Sequence, residues 1–138
     1  MKQGEPILQP VHGTENLFRV AQDWKYGLDK HTILVVFAGF QFDGASIPRI
    51  FWPVIGNPWE SDIVQAALVH DALYSAELLT RADSDHWLRE IQRREGIGMI
   101  RRNIMYYAVR AGGWAVWRRH TPASVARART QCALLTLP

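Results

Sequence analysis

Hydrophobic and polar positions along the chain change rhythm near residue 42. Before it, β-branched and aromatic residues alternate with polar ones or run together in short stretches. Asn16-Leu17-Phe18-Arg19-Val20-Ala21-Gln22-Asp23-Trp24-Lys25-Tyr26-Gly27 reads best as a strand, and Gly27 to His31 as a turn. Thr32-Ile33-Leu34-Val35-Val36-Phe37 reads as a second strand, because stiff branched side chains suit a pleated surface. Together they predict a β-hairpin, or a small antiparallel sheet if Phe40–Phe42 adds a third short strand. Residues 1–15, with Gly4, Pro6, Pro10 and Gly13, read as an irregular lead-in.

After Phe42 the chain breaks at Asp43-Gly44-Ala45-Ser46-Ile47-Pro48 and stays irregular past Pro53, Gly56 and Pro58. Three helices are predicted next. Ser61 can cap the first, which runs to about Ala76. Thr80 can cap the second, with Asp83 three residues on and an end near Gly96 and Gly98. The third spans about Met99 to His120 and stops before Pro122. Gly112 and Gly113 inside it cost roughly 1 kcal/mol each or let something pack closely. The rest, 121–138, reads as a tail with a short helix around Ser124–Leu135. The expectation is an α+β fold: an N-terminal hairpin or small antiparallel sheet, then three helices, the first two an antiparallel pair. Residues 1–138 form a single domain in this reading, with a lead-in at 1–15, a core at 16–120 and the tail.

Composition narrows the classes. The chain has 138 residues, 48% of them hydrophobic, enough to bury a core and too apolar for disorder. It has no run of about 18 apolar residues, so no transmembrane helix is expected. The N-terminus lacks the apolar heart of a secretory signal, so no such signal is expected. Cys132 is the only cysteine, which excludes an internal disulfide and a zinc-binding cysteine pattern. The net charge of +3 hides an asymmetry. Residues 1–80 carry 5 Lys/Arg against 9 Asp/Glu, whereas residues 81–138 carry 11 arginines against 4 acids. An arginine-rich half suits an anionic lipid surface or an acidic protein partner, or is simply a solvated basic face. No nucleic-acid motif accompanies it, so nucleic acid is not the expected partner.

The chemistry concentrates on the first predicted helix, Ala66-Ala67-Leu68-Val69-His70-Asp71-Ala72-Leu73-Tyr74. Ala67, His70 and Tyr74 share one face, and Asp71 is turned about 100° from His70. Two adjacent polar groups in an apolar helix need partners, since burying either alone costs on the order of 1–3 kcal/mol. An early carboxylate on the second helix, Asp83 or Asp85, can reach His70 across an antiparallel pair. A carboxylate that fixes the tautomer of a histidine makes it a general base. Asp71 beside it suits a hard cation, and the Asp43-Gly44 loop adds a carboxylate and carbonyls for the same ion. The bland alternative is a hydrogen-bonded pair inside the core.

Three segments together resemble a phage and prophage family known as domain of unknown function 1353. They are Gly39-Phe40-Gln41-Phe42-Asp43-Gly44-Ala45-Ser46-Ile47-Pro48-Arg49, then Ala67-Leu68-Val69-His70-Asp71-Ala72-Leu73-Tyr74, then Arg81 and Ser84-Asp85. The likeness covers roughly residues 17–118. The same order is similar to prokaryotic-type phospholipase A2, with Asp43-Gly44-Ala45-Ser46 as the calcium loop. His70-Asp71-Ala72-Leu73-Tyr74, Asp85 and Tyr106-Tyr107-Ala108-Val109-Arg110 complete the order. The resemblance implies a phospholipase A2-like core and a calcium-assisted lipid esterase. His70 would deprotonate water and Asp85 would orient it. Asp71 with Asp43 and Gly44 would hold calcium, and Tyr74, Tyr106 and Tyr107 would support them. The chain departs from that enzyme type in having one cysteine, a short link between the helices and an extra N-terminal hairpin. A phage assembly or host-interaction protein with a structural His-Asp pair is the competing expectation.

Other residues rank lower. Trp114 and Trp117 beside Arg118 and Arg119 could enter a membrane interface, although such tryptophans more often pack. Ser46 sits in no nucleophile elbow. His12, His31, His86 and His120 show no ligand spacing and read as surface or cap residues. Cys132 has no evident catalytic partner.

Overall fold

The computed structural model describes residues 4–15, 17–43, 49–55 and 62–138. Strands β1 (Leu8–Pro10), β2 (Phe18–Val20), β3 (Trp24–Gly27), β4 (Thr32–Val36) and β5 (Gln41–Phe42) come first. A 3-10 turn at Arg49–Phe51 leads into α1 (Trp52–Ile55). Then come α2 (Val64–Ser75), α3 (Arg81–Arg94), α4 (Met99–Arg118), α5 (Pro122–Arg129) and strand β6 (Cys132–Thr136). The α+β class and the early antiparallel pairing agree with the sequence.

The described strands form two three-stranded antiparallel sheets, ordered β1-β2-β5 and β3-β4-β6. The expected hairpin is β3–β4, with Trp24 opposite Val36 and Gly27 opposite Ile33. Three details differ from the sequence reading. The stretch 16–27 is two strands rather than one, since β2 and β3 belong to different sheets across Ala21–Asp23. The lead-in is not wholly irregular, because Leu8–Pro10 pairs with β2. The third strand at 41–42 pairs with β2 and not with the hairpin.

The C-terminal stretch is the largest correction. It is no tail: Thr121 caps α5 through a reciprocal capping box with Ser124, and β6 pairs with β4 from Val36↔Cys132 to Thr32↔Thr136. Pro122, read as a stop signal, in fact starts a helix, where its missing N–H is harmless. Burial falls along β6 from Cys132 to the exposed Leu135 and Thr136 rather than alternating. Trp52 likewise begins a helical turn where irregular chain was expected.

Helix α2 is the hub. Every residue from Val64 to Tyr74 is buried, as for a helix apolar all round. Its N-cap position is Ile63, which makes no side-chain cap bond, and the proposed cap Ser61 lies outside the described residues. Leu68 and Leu73 join Val20, Leu34, Val36, Phe42, Leu88, Ile91, Met105 and Val109 in one core. Thr80 caps α3 as expected, its Oγ1 accepting from the Asp83 N–H at 3.1 Å. Gly96, with φ +81°, occupies the left-handed region just beyond α3.

Candidate active site

The link Ala76–Thr80 turns the chain so that α2 and α3 run antiparallel. Glu77 makes that turn at φ +45°, a conformation few non-glycine residues adopt. His70 and Asp85 then face each other, with Nε2 2.6 Å from Oδ1 and both side chains 0% exposed. Asp83 sits in the exposed first turn of α3, so Asp85 is the partner.

The second oxygen of Asp85 is also used. Oδ2 accepts from Arg110 Nη1 of α4 at 2.9 Å and has Arg81 Nη1 at 3.6 Å. A lone buried charge would be costly; one carboxylate shared by an imidazole and two guanidiniums is compensated. Burial alone would raise the Asp85 pKa. Hydrogen bonds and charge from His70, with hydrogen bonds from Arg110 and Tyr74, outweigh it and hold the carboxyl below its ordinary value. An ionised Asp85 can only accept, so Nε2 of His70 carries a proton and, in the neutral ring, Nδ1 holds the lone pair.

Tyr74, one turn along α2, lies against the His70 ring at 4.3 Å between centroids. Its other side meets the edge of Trp117 at 5.1 Å. Burial pushes its phenol up to about 12. Gly113 of α4 permits this placement: a Cβ there would overlap Tyr74 Oη and lie 3.3 Å from Cζ. The glycine pair thus marks a close approach at Gly113.

Tyr106 and Tyr107 do not join this network. Helix α4 runs antiparallel to α3, with Arg110 opposite Asp85, so Tyr106 falls one turn away beneath Arg89, 3.8 Å from its guanidinium. Tyr107 is largely exposed. Arg110 and Arg81 occupy the place the tyrosines were expected to fill. The α3–α4 register decides this, and only the antiparallel packing reveals it.

A cleft of about 230 Å³ is lined by Asp43, Asp71, Tyr74 and His120 with Phe40 and Val116; neither His70 nor Asp85 lines it. Asp43 and Asp71 therefore share one cavity, while Gly44 lies outside the described residues. Two carboxylates are donors of the right class for calcium, but the ion takes about 6–8 oxygens. No group of three His, Cys, Asp or Glu among the described residues could hold a metal. A calcium shell here would need oxygens beyond these two carboxylates.

His120 was expected to be a surface or cap residue. Instead its Nδ1 lies 2.9 Å from Glu77 Oε1, and its ring lies 5.3 Å from Trp117. The two partners are 43 residues apart, so no local spacing could announce them.

The arginine-rich half is less of a surface than its count suggests. Arg81 and Arg110 serve Asp85. Arg94 donates to the carbonyls of Gly27 and Leu28, Arg102 to that of Ile97, and Arg129 to those of Ala76 and Glu77. Arg101 pairs with Asp62. Trp114 is half exposed beside Arg118, whereas Trp117 packs on Tyr74. No helix among the described residues is long and apolar enough to cross a membrane.

A family described as a protein of unknown function (DUF1353) matches residues 18–109. The uncharacterised protein y4jT of Sinorhizobium fredii (strain NBRC 101917 / NGR234) is 30% identical over 97 residues. That match covers 70% of this chain and 29% of the relative. The uncharacterised protein y4iH of the same strain is 29% identical over 94 residues, covering 68% of this chain and 39% of the relative. The aligned segment thus spans well under half of either relative. No solved structure matches the chain.

Proposed function

The chain belongs to the DUF1353 family of proteins of unknown function, and from that premise we propose that it is a hydrolase of ester bonds, with lipid esters as the substrate class. The observation that supports this most is the 2.6 Å His70–Asp85 pair, next along α2 to Asp71, which shares a cleft with Asp43. In this reading Asp85 holds the His70 ring in one tautomer, and His70 Nδ1 accepts a proton from water. Tyr74 keeps the ring from turning. Asp71, Asp43 and the 43–46 loop with Gly44 are the candidate calcium ligands, and a bound ion there would polarise the ester carbonyl. An anionic lipid surface is the partner this reading carries, with the remaining exposed arginines and Trp114 facing it.

The test uses phosphatidylglycerol vesicles, millimolar calcium and the release of fatty acid. His70→Ala should abolish release while the protein stays folded, and Asp71→Asn should weaken calcium binding, read by calorimetry, more than it lowers the unfolding midpoint. A second reading draws on the complete burial of His70 and Asp85. In it the His70–Asp85–Arg110 network only ties α2, α3 and α4 together, and the protein serves phage assembly or host interaction. Strong destabilisation by both substitutions, with no calcium bound and no ester cleaved, would establish that reading instead.

A further inference from the structure

Helix α4 is apolar on two opposite sides, and the fold uses one of them. Met105, Ala108, Val109 and Gly113 are buried. On the far side Ile100, Ile104, Tyr107 and Ala111 follow one another at intervals of four, three and four residues. Ile100 is 76% and Tyr107 64% exposed, Ala111 is exposed and Ile104 is half-buried. That spacing averages about 3.5 residues and makes a narrow straight stripe, whose complement is a second helix. We propose that the stripe is the seam of a homodimer, in which α4 of one copy packs antiparallel on α4 of another about a two-fold axis. The proposal does not depend on the hydrolase reading.

Three observations single out a second copy as the occupant. First, the stripe complements itself. With the axis midway between Ile104 and Tyr107, Ile104 meets Tyr107 of the partner subunit, and Ile100 meets Ala111 of the partner subunit. Large side chains then lie over small ones at both ends, and the same four residues serve both copies. Two open apolar hollows flank Ile100 and Ile104, one beside Met99 and one beside Phe51, and give incoming side chains somewhere to seat.

Second, the charge beside the stripe is already compensated. Arg101 pairs with Asp62 and Arg110 with Asp85, so neither guanidinium waits for an anionic headgroup. Helix α4 carries four arginines and no acid. Parallel pairing would set each arginine beside its own counterpart and align the two helix dipoles, whereas antiparallel pairing avoids both. Third, the area suffices. Ile50, next to Phe51, and Met99, Ile100 and Tyr107 together expose on the order of 600 Å², so two copies would cover about 1,200 Å², the small end of specific interfaces. Trp114 passes the start of the partner helix in this register and stays outside the seam.

The test is sedimentation velocity on the full chain from about 1 to 100 µM, where an interface of this size should give a reversible dimer with a micromolar Kd. Tyr107→Glu should remain folded by circular dichroism and monomeric throughout. Ile100→Lys and Ala111→Glu, both at exposed positions, should each weaken association at least about 10-fold. An equimolar mixture of those two variants should restore it, because the introduced lysine and glutamate meet only in the antiparallel register. Should Tyr107→Glu fail to fold, the mixture decides. A wild-type chain that stays monomeric at the top concentration would overturn the proposal. So would a dimer that Tyr107→Glu leaves intact, or a mixture that associates no better than its components. Monomeric binding to phosphatidylglycerol vesicles that Tyr107→Glu abolishes would assign the stripe to lipid and likewise overturn it.

Discussion

Gly113→Ala should destabilise the protein, although alanine is the better helix former. In an exposed helix interior the exchange would stabilise by about 1 kcal/mol. Here the added Cβ would overlap Tyr74 Oη and come within 3.3 Å of Cζ. A flexible side chain could swing away, but Tyr74 is a rigid buried ring between His70 at 4.3 Å and Trp117 at 5.1 Å. Overpacking of this kind costs roughly 1–3 kcal/mol, and so deep an overlap with so rigid a neighbour belongs at the upper end. Less the propensity gain, the net loss is about 2 kcal/mol. For a chain of this size that lowers Tm by roughly 6–8 °C. Thermal and urea unfolding of wild type, Gly113→Ala, Tyr74→Phe and the double variant form a cycle. Removing Oη should relieve the overlap, so the double variant should recover about 1–2 kcal/mol relative to additivity. A higher Tm for Gly113→Ala, or additive changes, would show that α4 does not pack on Tyr74 in this way.

Asp85→Asn should cost about 3–5 kcal/mol, because it leaves two guanidiniums and an imidazole around a neutral amide. The folded-state pKa of Asp85 is lowered, so its contribution is present above the unfolded value of about 3.9 and is lost as pH falls through the folded one. Urea titrations across the acid range should therefore show a shallower loss of stability in the variant, and an unchanged slope would deny Asp85 that role. Cys132 is buried, with its thiol pushed up to about 12 by desolvation. It should resist a disulfide reagent at pH 8 and react only as urea unfolds the chain; rapid native labelling would place β6 elsewhere.

Several features could be read from the chain because they are local. Thr32–Val36 is a strand through its branched residues, and α3 starts at Thr80 because a hydroxyl and the N–H three residues later are close in sequence. The His70 and Asp85 candidates were legible for a related reason: two polar residues on apolar helices demand partners, and a short link limits where those partners lie. Asp83 could not be dismissed that way, since it stands only two residues from Asp85. Burial separates them, and burial is a property of the packed helices.

Tertiary structure alone decided the rest. Strand β6 exists because β4 offers it an edge about a hundred residues away in sequence, so a stretch with weak periodicity becomes a strand by pairing. Arg110, rather than a tyrosine, reaches Asp85 because the α3–α4 register sets which turn of α4 faces it. His120 finds Glu77 only once α2, α3 and α4 are stacked. By itself the sequence determined the strand at Thr32–Val36, the helices bearing His70 and Asp85, and which polar residues need company, since propensity, capping and the cost of burying a polar group act over a few residues. The identity of that company depended on three-dimensional packing, because distance in space between remote segments is written in no local pattern.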